Sequence, residues 1–66
     1  MVEYFAFQLH EAVAIAISGE KGHVIARAEY AYGEDQYLIR YKNAHGAATE
    51  EWWAESALIP EPAVKL

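Results

Sequence analysis

The sequence predicts an all-β fold, with five short strands in one small domain. Several runs alternate apolar residues with polar or small ones, which is typical of strands that have one packed face. Polar segments that contain glycine separate these runs, as tight turns do. The 66-residue chain has no cysteine, and 55% of its residues are hydrophobic and 14% aromatic. Packing, rather than disulfide bonds, must therefore stabilise the domain.

The first strand is predicted in AVAIAIS, residues 12–18. Val13, Ile15 and Ile17 alternate there with alanines, and β-branched residues at this spacing would spread around a helix rather than line one side of it. SGEKG, residues 18–22, contains two glycines and is typical of a turn.

The next two runs predict a hairpin. In HVIARAEYAY, residues 23–32, successive side chains would point to alternate faces of a strand, with Arg27 on the face opposite to Val24. GED, residues 33–35, interrupts the pattern, and QYLIRYK, residues 36–42, resumes it. Two alternating runs joined by a short loop with glycine are typical of antiparallel neighbours.

The remaining segments predict two further strands. NAHG, residues 43–46, begins with Asn and ends with Gly, as turns do, and residues 47–53 follow as the fourth strand. AESAL is too short for a stable helix and predicts a single 3₁₀ turn. Leu58 and Ile59 then form a last short strand, which Pro60 ends.

Residues 1–59 are therefore expected to form the domain and residues 60–66 a tail. Near the start, FAFQL also alternates, and Phe5, Phe7 and Leu9 are expected to cover an open end of the sheet. Closing five strands into a small barrel would remove the edges that an open sheet exposes, so a barrel is the predicted architecture.

The order of these features resembles an SH3-like barrel of the Tudor/KOW-like branch. The matching stretch runs from Leu9 to Pro60, and the pieces that carry it are AVAIAIS, SGEKGHV, YLIRY, NAHG and the ending WW-x-x-S-x-L. The resemblance implies a five-stranded SH3-like small barrel with one 3₁₀ turn before the last strand. It also implies that the last Leu of this ending plugs the barrel. It also implies that ligands bind to aromatic residues near the loops. Short SH3-like proteins of bacterial genomes and prophages, which mostly have no assigned activity, show a similar pattern.

The adjacent Trp52 and Trp53 must point to opposite faces of a strand. One can fill the core, and the other either lies partly covered on the surface or anchors a partner, since Trp is frequent among interface hot spots. A bend in the fourth strand could disturb the alternation, so the pattern leaves open which of the two is exposed. The predicted partner-binding residues are Tyr32, Glu34, Asp35, Tyr37, Trp52 and Trp53. One version of this site is an aromatic cage for a methylated lysine or arginine.

The charges allow a second kind of partner. Arg27, Arg40 and Lys42 are expected on the outer face of adjacent strands, where they could contact nucleic acid. The net charge of −5 argues against that alternative, because a phosphate backbone requires a basic surface. A cross-strand Glu29–Arg40 ion pair is the competing interpretation. The acidic residues after position 49 could meet a basic partner, imitate nucleic acid, or simply form a solvated face.

Nothing in the sequence predicts catalysis, a metal or a cofactor. The three histidines match no compact metal-binding spacing; they are His10, His23 and His45. No serine or threonine has the context of a nucleophile, and Ser56 is expected to cap the 3₁₀ turn. Glu50 and Glu51 are neighbours on a strand, so their carboxylates diverge and form no acid–base pair.

Two further expectations concern partners and location. Ala12, Ala14 and Ala16 would form a small apolar strip, which is either a tight spot in the barrel or a surface where a second copy packs. The start of the chain lacks the basic region of a signal peptide, and no apolar run approaches about 20 residues, so a cytoplasmic protein without a membrane span is expected.

The predicted function is non-catalytic binding of a protein or peptide. A regulator or inhibitor carried by a phage or mobile element is one form of this hypothesis, and an anti-CRISPR-type inhibitor is a specific case. The alternative is a nucleic-acid-binding SH3-like module, and a third interpretation is a structural accessory that binds only itself.

Overall fold

The computed structural model describes residues 5–61 and contains five strands, all of them antiparallel to their neighbours. The elements are β1 (Ala12–Ile15), β2 (Lys21–Ala28), β3 (Gln36–Lys42), β4 (Ala48–Ala54), a 3₁₀ turn (Glu55–Ala57) and β5 (Leu58–Pro60). The all-β prediction and the 3₁₀ turn before the last strand are confirmed. No helix in residues 5–61 is long and apolar enough to cross a membrane.

The strands form one sheet in the order β4-β3-β2-β1-β5. The hydrogen bonding leaves this sheet open, with β4 and β5 at its edges, and so differs from the closed cylinder that the sequence predicts. Most of the predicted tail, residues 62–66, lies outside the described residues, whereas Pro60 belongs to β5.

β1 is shorter than the alternation in AVAIAIS predicts, because a tight turn begins before the pattern ends. The amide groups of Ser18 and Gly19 both donate to the carbonyl of Ile15, at 3.3 and 2.7 Å. Gly19 has φ +79°, the left-handed conformation that glycine adopts without strain. Ile17 is therefore 89% exposed on this turn instead of buried in the core.

Gly22 lies inside β2, not in the predicted turn, and allows the sheet to pack closely at its centre. It is paired with Val13 on one side and Tyr41 on the other. A Cβ atom added to Gly22 would lie 2.4 Å from the carbonyl oxygen of Arg40 and 2.8 Å from Cβ of Tyr41. Any side chain at this position would push β2 away from β3.

A β-bulge in β2 reverses the alternation of its side chains. Val24 pairs with Ile39, but Ala26 pairs with Leu38, so Ile25 is an extra residue in the ladder. Beyond the bulge, Ala26 lies on the outer face, and the next residue, Arg27, shares the face of Tyr37.

The core lies on one face of the sheet, under the segment that precedes β1. Its buried residues are Phe7, Val13, Ile15, Val24, Tyr37, Ile39 and Leu58. The rings of Phe5 and Phe7 meet the ring of Tyr37 edge to face, with centroids 6.1 and 5.2 Å apart. The N-terminal segment thus covers the sheet as predicted, except that Leu9 is 48% exposed.

Tyr37 joins three parts of the chain through its hydroxyl group. The amide of Ala6 donates to the hydroxyl oxygen at 3.0 Å, and the hydroxyl donates to Oε1 of Glu55 at 3.0 Å. Burial raises the pKa of Tyr37, and the hydrogen bond to Glu55 raises it further because it stabilises the protonated hydroxyl.

We expect Gly22→Ala to lower the free energy of unfolding by about 3 kcal/mol, because the new methyl group meets rigid backbone. Gly19→Ala is the matched control: its methyl group has free space but a left-handed φ, so the expected loss is about 1 kcal/mol. Urea denaturation measures both variants. An equal or smaller loss at Gly22 would contradict the close approach of β2 and β3.

We expect Tyr37→Phe to lower the free energy of unfolding at neutral pH by about 1–2 kcal/mol, through its two lost hydrogen bonds. Tyr32→Phe, at a 95% exposed position, should change it by less than about 0.5 kcal/mol.

The same variant should alter the stability of the protein in alkali. The raised pKa of Tyr37 means that its contribution to stability is complete below the unfolded pKa of 10.0 and is lost as the pH rises through the folded pKa. Partial burial, Glu51 and Glu20 also raise the pKa of Tyr41, so Tyr37→Phe should reduce the alkaline loss without abolishing it. Urea denaturation at about pH 8 and about pH 11 measures the difference. An alkaline loss as large in Tyr37→Phe as in the wild type would contradict this.

Candidate functional site

The register of β3 and β4 decides which tryptophan is exposed. Trp53 lies opposite Tyr37, and Trp52 lies opposite Leu38. Since directly opposite residues share a face, Trp53 turns towards the core, where it packs against the buried cluster. Trp52 points to the outer face and is 48% exposed.

Trp52 ends a row of apolar side chains across the outer face of three strands. Ala26, Leu38 and Trp52 are consecutive cross-strand neighbours on β2, β3 and β4, and we call them the apolar row. Ala26 and Leu38 are each half-buried. Trp52 thus has apolar support on the side towards β3.

A charged row lies beside the apolar row. His23, Arg40 and Glu50 are cross-strand neighbours. Arg40 donates to Oε2 of Glu50 from Nε at 2.8 Å and from Nη2 at 2.6 Å. A shallow, open depression, lined by Arg40, Ala48, Thr49 and Glu50, lies at the β4 end of this row.

The predicted partner-binding residues do not form one surface. Tyr37 is completely buried, and Trp53 belongs to the core face, so neither ring can join Trp52 in an aromatic cage. Tyr32 is 95% exposed in the loop between β2 and β3. Tyr32 and Trp52 are therefore the two members of the aromatic set that are open to a partner.

The acidic residues of the GED loop hold the 3₁₀ turn instead of bordering a cage. Glu34 accepts hydrogen bonds from the amide of Ser56 at 2.7 Å and from its hydroxyl at 2.9 Å. The carbonyl of Asp35 accepts from the amide of Glu55 at 2.9 Å. Ser56 therefore does not cap the turn as predicted; Ala54 occupies the N-cap position, and its side chain makes no capping hydrogen bond.

The basic stripe that a nucleic acid would need does not form. Because of the bulge in β2, Arg27 leaves the outer face: its guanidinium lies 4.3 Å from the ring centroid of Phe5 and donates to the carbonyl of Phe7 at 3.4 Å. Arg40 is engaged by Glu50, and Lys42 is exposed two residues further along β3.

The predicted Glu29–Arg40 pair is also wrong. Ala28, the residue before Glu29, pairs with Gln36, at the opposite end of β3 from Arg40.

The alanine strip is not a flat surface either. Ala12 is exposed, but Ala14 is only 7% exposed, between Lys21 on β2 and Ile59 on β5. Ala16 lies in the turn after β1, where its amide donates to the carbonyl of Ala57 at 2.8 Å. Early termination of β1 thus removes the third member of the strip.

The indole N–H of Trp53 is buried and has no hydrogen-bond acceptor among the described residues. We therefore expect Trp53→Phe to cost less than about 1 kcal/mol, because losing part of the ring is offset by removing an unsatisfied donor. Trp53→Ala should cost about 3 kcal/mol. Trp52→Thr should cost only about 1 kcal/mol, because Trp52 is half exposed and Thr suits a strand.

Urea denaturation of these three variants tests the assignment of the two faces. A greater loss in Trp52→Thr than in Trp53→Ala would contradict it.

Comparison with known proteins assigns the site to no family: no family model, no curated protein and no solved structure matches the chain. A function must therefore be inferred from the geometry of Trp52 and its neighbours.

Proposed function

We propose that the chain is a non-catalytic binding module that recognises a protein or peptide through Trp52 and the apolar row. The observation that carries this proposal is the position of Trp52, which is 48% exposed on the regular strand β4 while its neighbour Trp53 packs against the core. A tryptophan held by a strand is already ordered, so a partner that covers it incurs little further loss of side-chain entropy. Such rigid aromatic anchors are enriched among interface hot spots.

An SH3-like architecture is part of this proposal. The strand order β4-β3-β2-β1-β5 and the 3₁₀ turn between β4 and β5 support it, together with the resemblance of residues 9–60. In the proposed module, the binding surface lies on the outer face of β4 instead of between the loops, because the loop residue Glu34 is engaged with the 3₁₀ turn.

The charge around Trp52 favours a basic partner. Glu51, directly before the tryptophan pair, is exposed and forms no ion pair with any described residue, whereas Glu50 is already paired with Arg40, and the chain as a whole carries −5. A basic partner would be attracted over a distance of about 10 Å at moderate ionic strength. A non-catalytic chain of this kind can regulate or inhibit a partner by occupying its surface. The proposal therefore includes the hypothesis that the chain is a regulator or inhibitor.

The experiment is affinity capture with the wild-type chain and with Trp52→Thr as baits. We expect the amount of each protein that the wild type retains to be at least about tenfold lower with Trp52→Thr. A loss of this size corresponds to a modest hot spot. Trp52→Thr keeps the partly buried Trp53, whose fluorescence emission reports whether the core against which it packs is intact.

Tyr32→Thr is the matched control, since it removes an exposed aromatic ring from a loop instead of from β4. Its capture should equal that of the wild type. If Trp52→Thr captured the same proteins as the wild type, the proposed surface would be wrong. Loss of capture with Tyr32→Thr alone would assign the surface to the loop between β2 and β3.

A further inference from the structure

The two edges of the sheet differ in the backbone groups that they offer. At β5, hydrogen bonds from Ala16 to Ala57 and from Glu61 to Ala12 fix the ladder with β1, so Leu58 and Pro60 face the free edge. The amide of Leu58 donates to the carbonyl of Glu55, and Pro60 has no N–H. The described edge of β5 therefore has no free donor.

The edge of β4 is different. The amide of Glu55 donates to the carbonyl of Asp35, and the amide of Asn43 donates to the carbonyl of Ala47, each at 2.9 Å. The register between these two points is uninterrupted, so hydrogen-bonded pairs recur at every second residue. The residues that direct both N–H and C=O away from β3 are therefore Ala48, Glu50, Trp52 and Ala54. Within residues 5–61, no strand pairs with this edge.

We propose that an extended basic peptide pairs with the free edge of β4 as an additional strand, with Trp52 as its anchor. This inference rests on the proposed function and specifies the partner and its mode of binding. Main-chain hydrogen bonds would give affinity, and the side chains on both faces of β4 would give specificity.

The sequence of β4 specifies the side chains of that peptide. Glu50 and Glu51 point to opposite faces, and so do Trp52 and Trp53, so an added strand meets an acid on each face and then an indole ring on each face. Glu50 already pairs with Arg40, so Glu51 is the acid whose charge is open to the peptide. The complementary peptide has two adjacent apolar residues next to two adjacent basic ones. In antiparallel pairing, the apolar residues come first.

A second copy of this chain fits the edge less well. The one antiparallel register that pairs all seven residues of β4 with another β4 places Glu51 opposite Glu51. Like charges directly opposite each other are destabilising, and each copy carries −5. A basic peptide removes this repulsion, which is why we favour it as the occupant.

The experiment titrates the whole chain with acetyl-Thr-Val-Val-Lys-Lys-Thr-amide and follows each backbone amide by NMR. Without peptide, the amides of Ala48, Glu50, Trp52 and Ala54 should exchange rapidly with solvent. With peptide, the exchange of the amides of Glu50, Trp52 and Ala54 should slow at least about tenfold, because they become hydrogen-bonded, whereas the amide of Ala48, which lies beyond the last residue of the peptide, should still exchange rapidly. The peptide in which Glu replaces both Lys residues should bind at least about tenfold more weakly.

N-methylation of the peptide provides a matched control for strand pairing. In the antiparallel register, the second Val lies opposite Trp52 and directs its N–H at β4, whereas the first Lys lies opposite Glu51 and directs its N–H away. Methylating the second Val should weaken binding at least about tenfold, and methylating the first Lys should weaken it less than about twofold.

The outcomes separate this inference from the proposed function. Binding that shifts the indole signal of Trp52 without protecting the edge amides would overturn strand pairing and leave the binding module intact. No binding of the peptide would also overturn strand pairing, while capture with Trp52→Thr would still decide the proposed function. Protection of the edge amides without peptide, with a doubled mass in solution, would identify a second copy as the occupant and overturn the peptide.

Discussion

The fold depends on one buried tyrosine. Tyr37 is fully enclosed, two phenylalanine rings lie edge-on against it, and its hydroxyl joins the segment before β1 to the 3₁₀ turn before β5. The segment before β1 and the 3₁₀ turn are thus held by one side chain from the third strand. In so small a domain, where little apolar surface can be buried, such a shared contact orders segments that the sheet alone would leave unsupported.

The same strand explains why β4 presents a tryptophan to solvent. Tyr37 on the inner face fixes the register in which Trp53 is its neighbour, and the next residue must then face outwards. Trp52 is exposed because of this alternation, and its apolar neighbours Leu38 and Ala26 lie on the same face. The bulge in β2 has the opposite effect on Arg27, which it turns from the outer face to cover Phe5.

The sequence predicts the strands well because alternation is a local property of each run. It predicts the covering role of Phe7 in part for the same reason, whereas Tyr37, predicted to contact a partner, is buried in the core. It fails where a non-local contact decides. The bulge at Ile25 depends on pairing with β3, the burial of Ala14 depends on β5, and the role of Glu34 depends on a turn 22 residues later. Which of the two tryptophans is exposed also depends on the register between β3 and β4, and the sequence of one strand alone does not reveal that register.

The unequal edges limit how large an assembly of this chain can become. A fibre of stacked sheets requires every subunit to offer two edges that can pair, one for each neighbour. Here proline and an internally satisfied amide block the described edge of β5. Copies of this chain that paired through β4 would therefore end as a pair, because each copy then has only its blocked β5 edge left to offer.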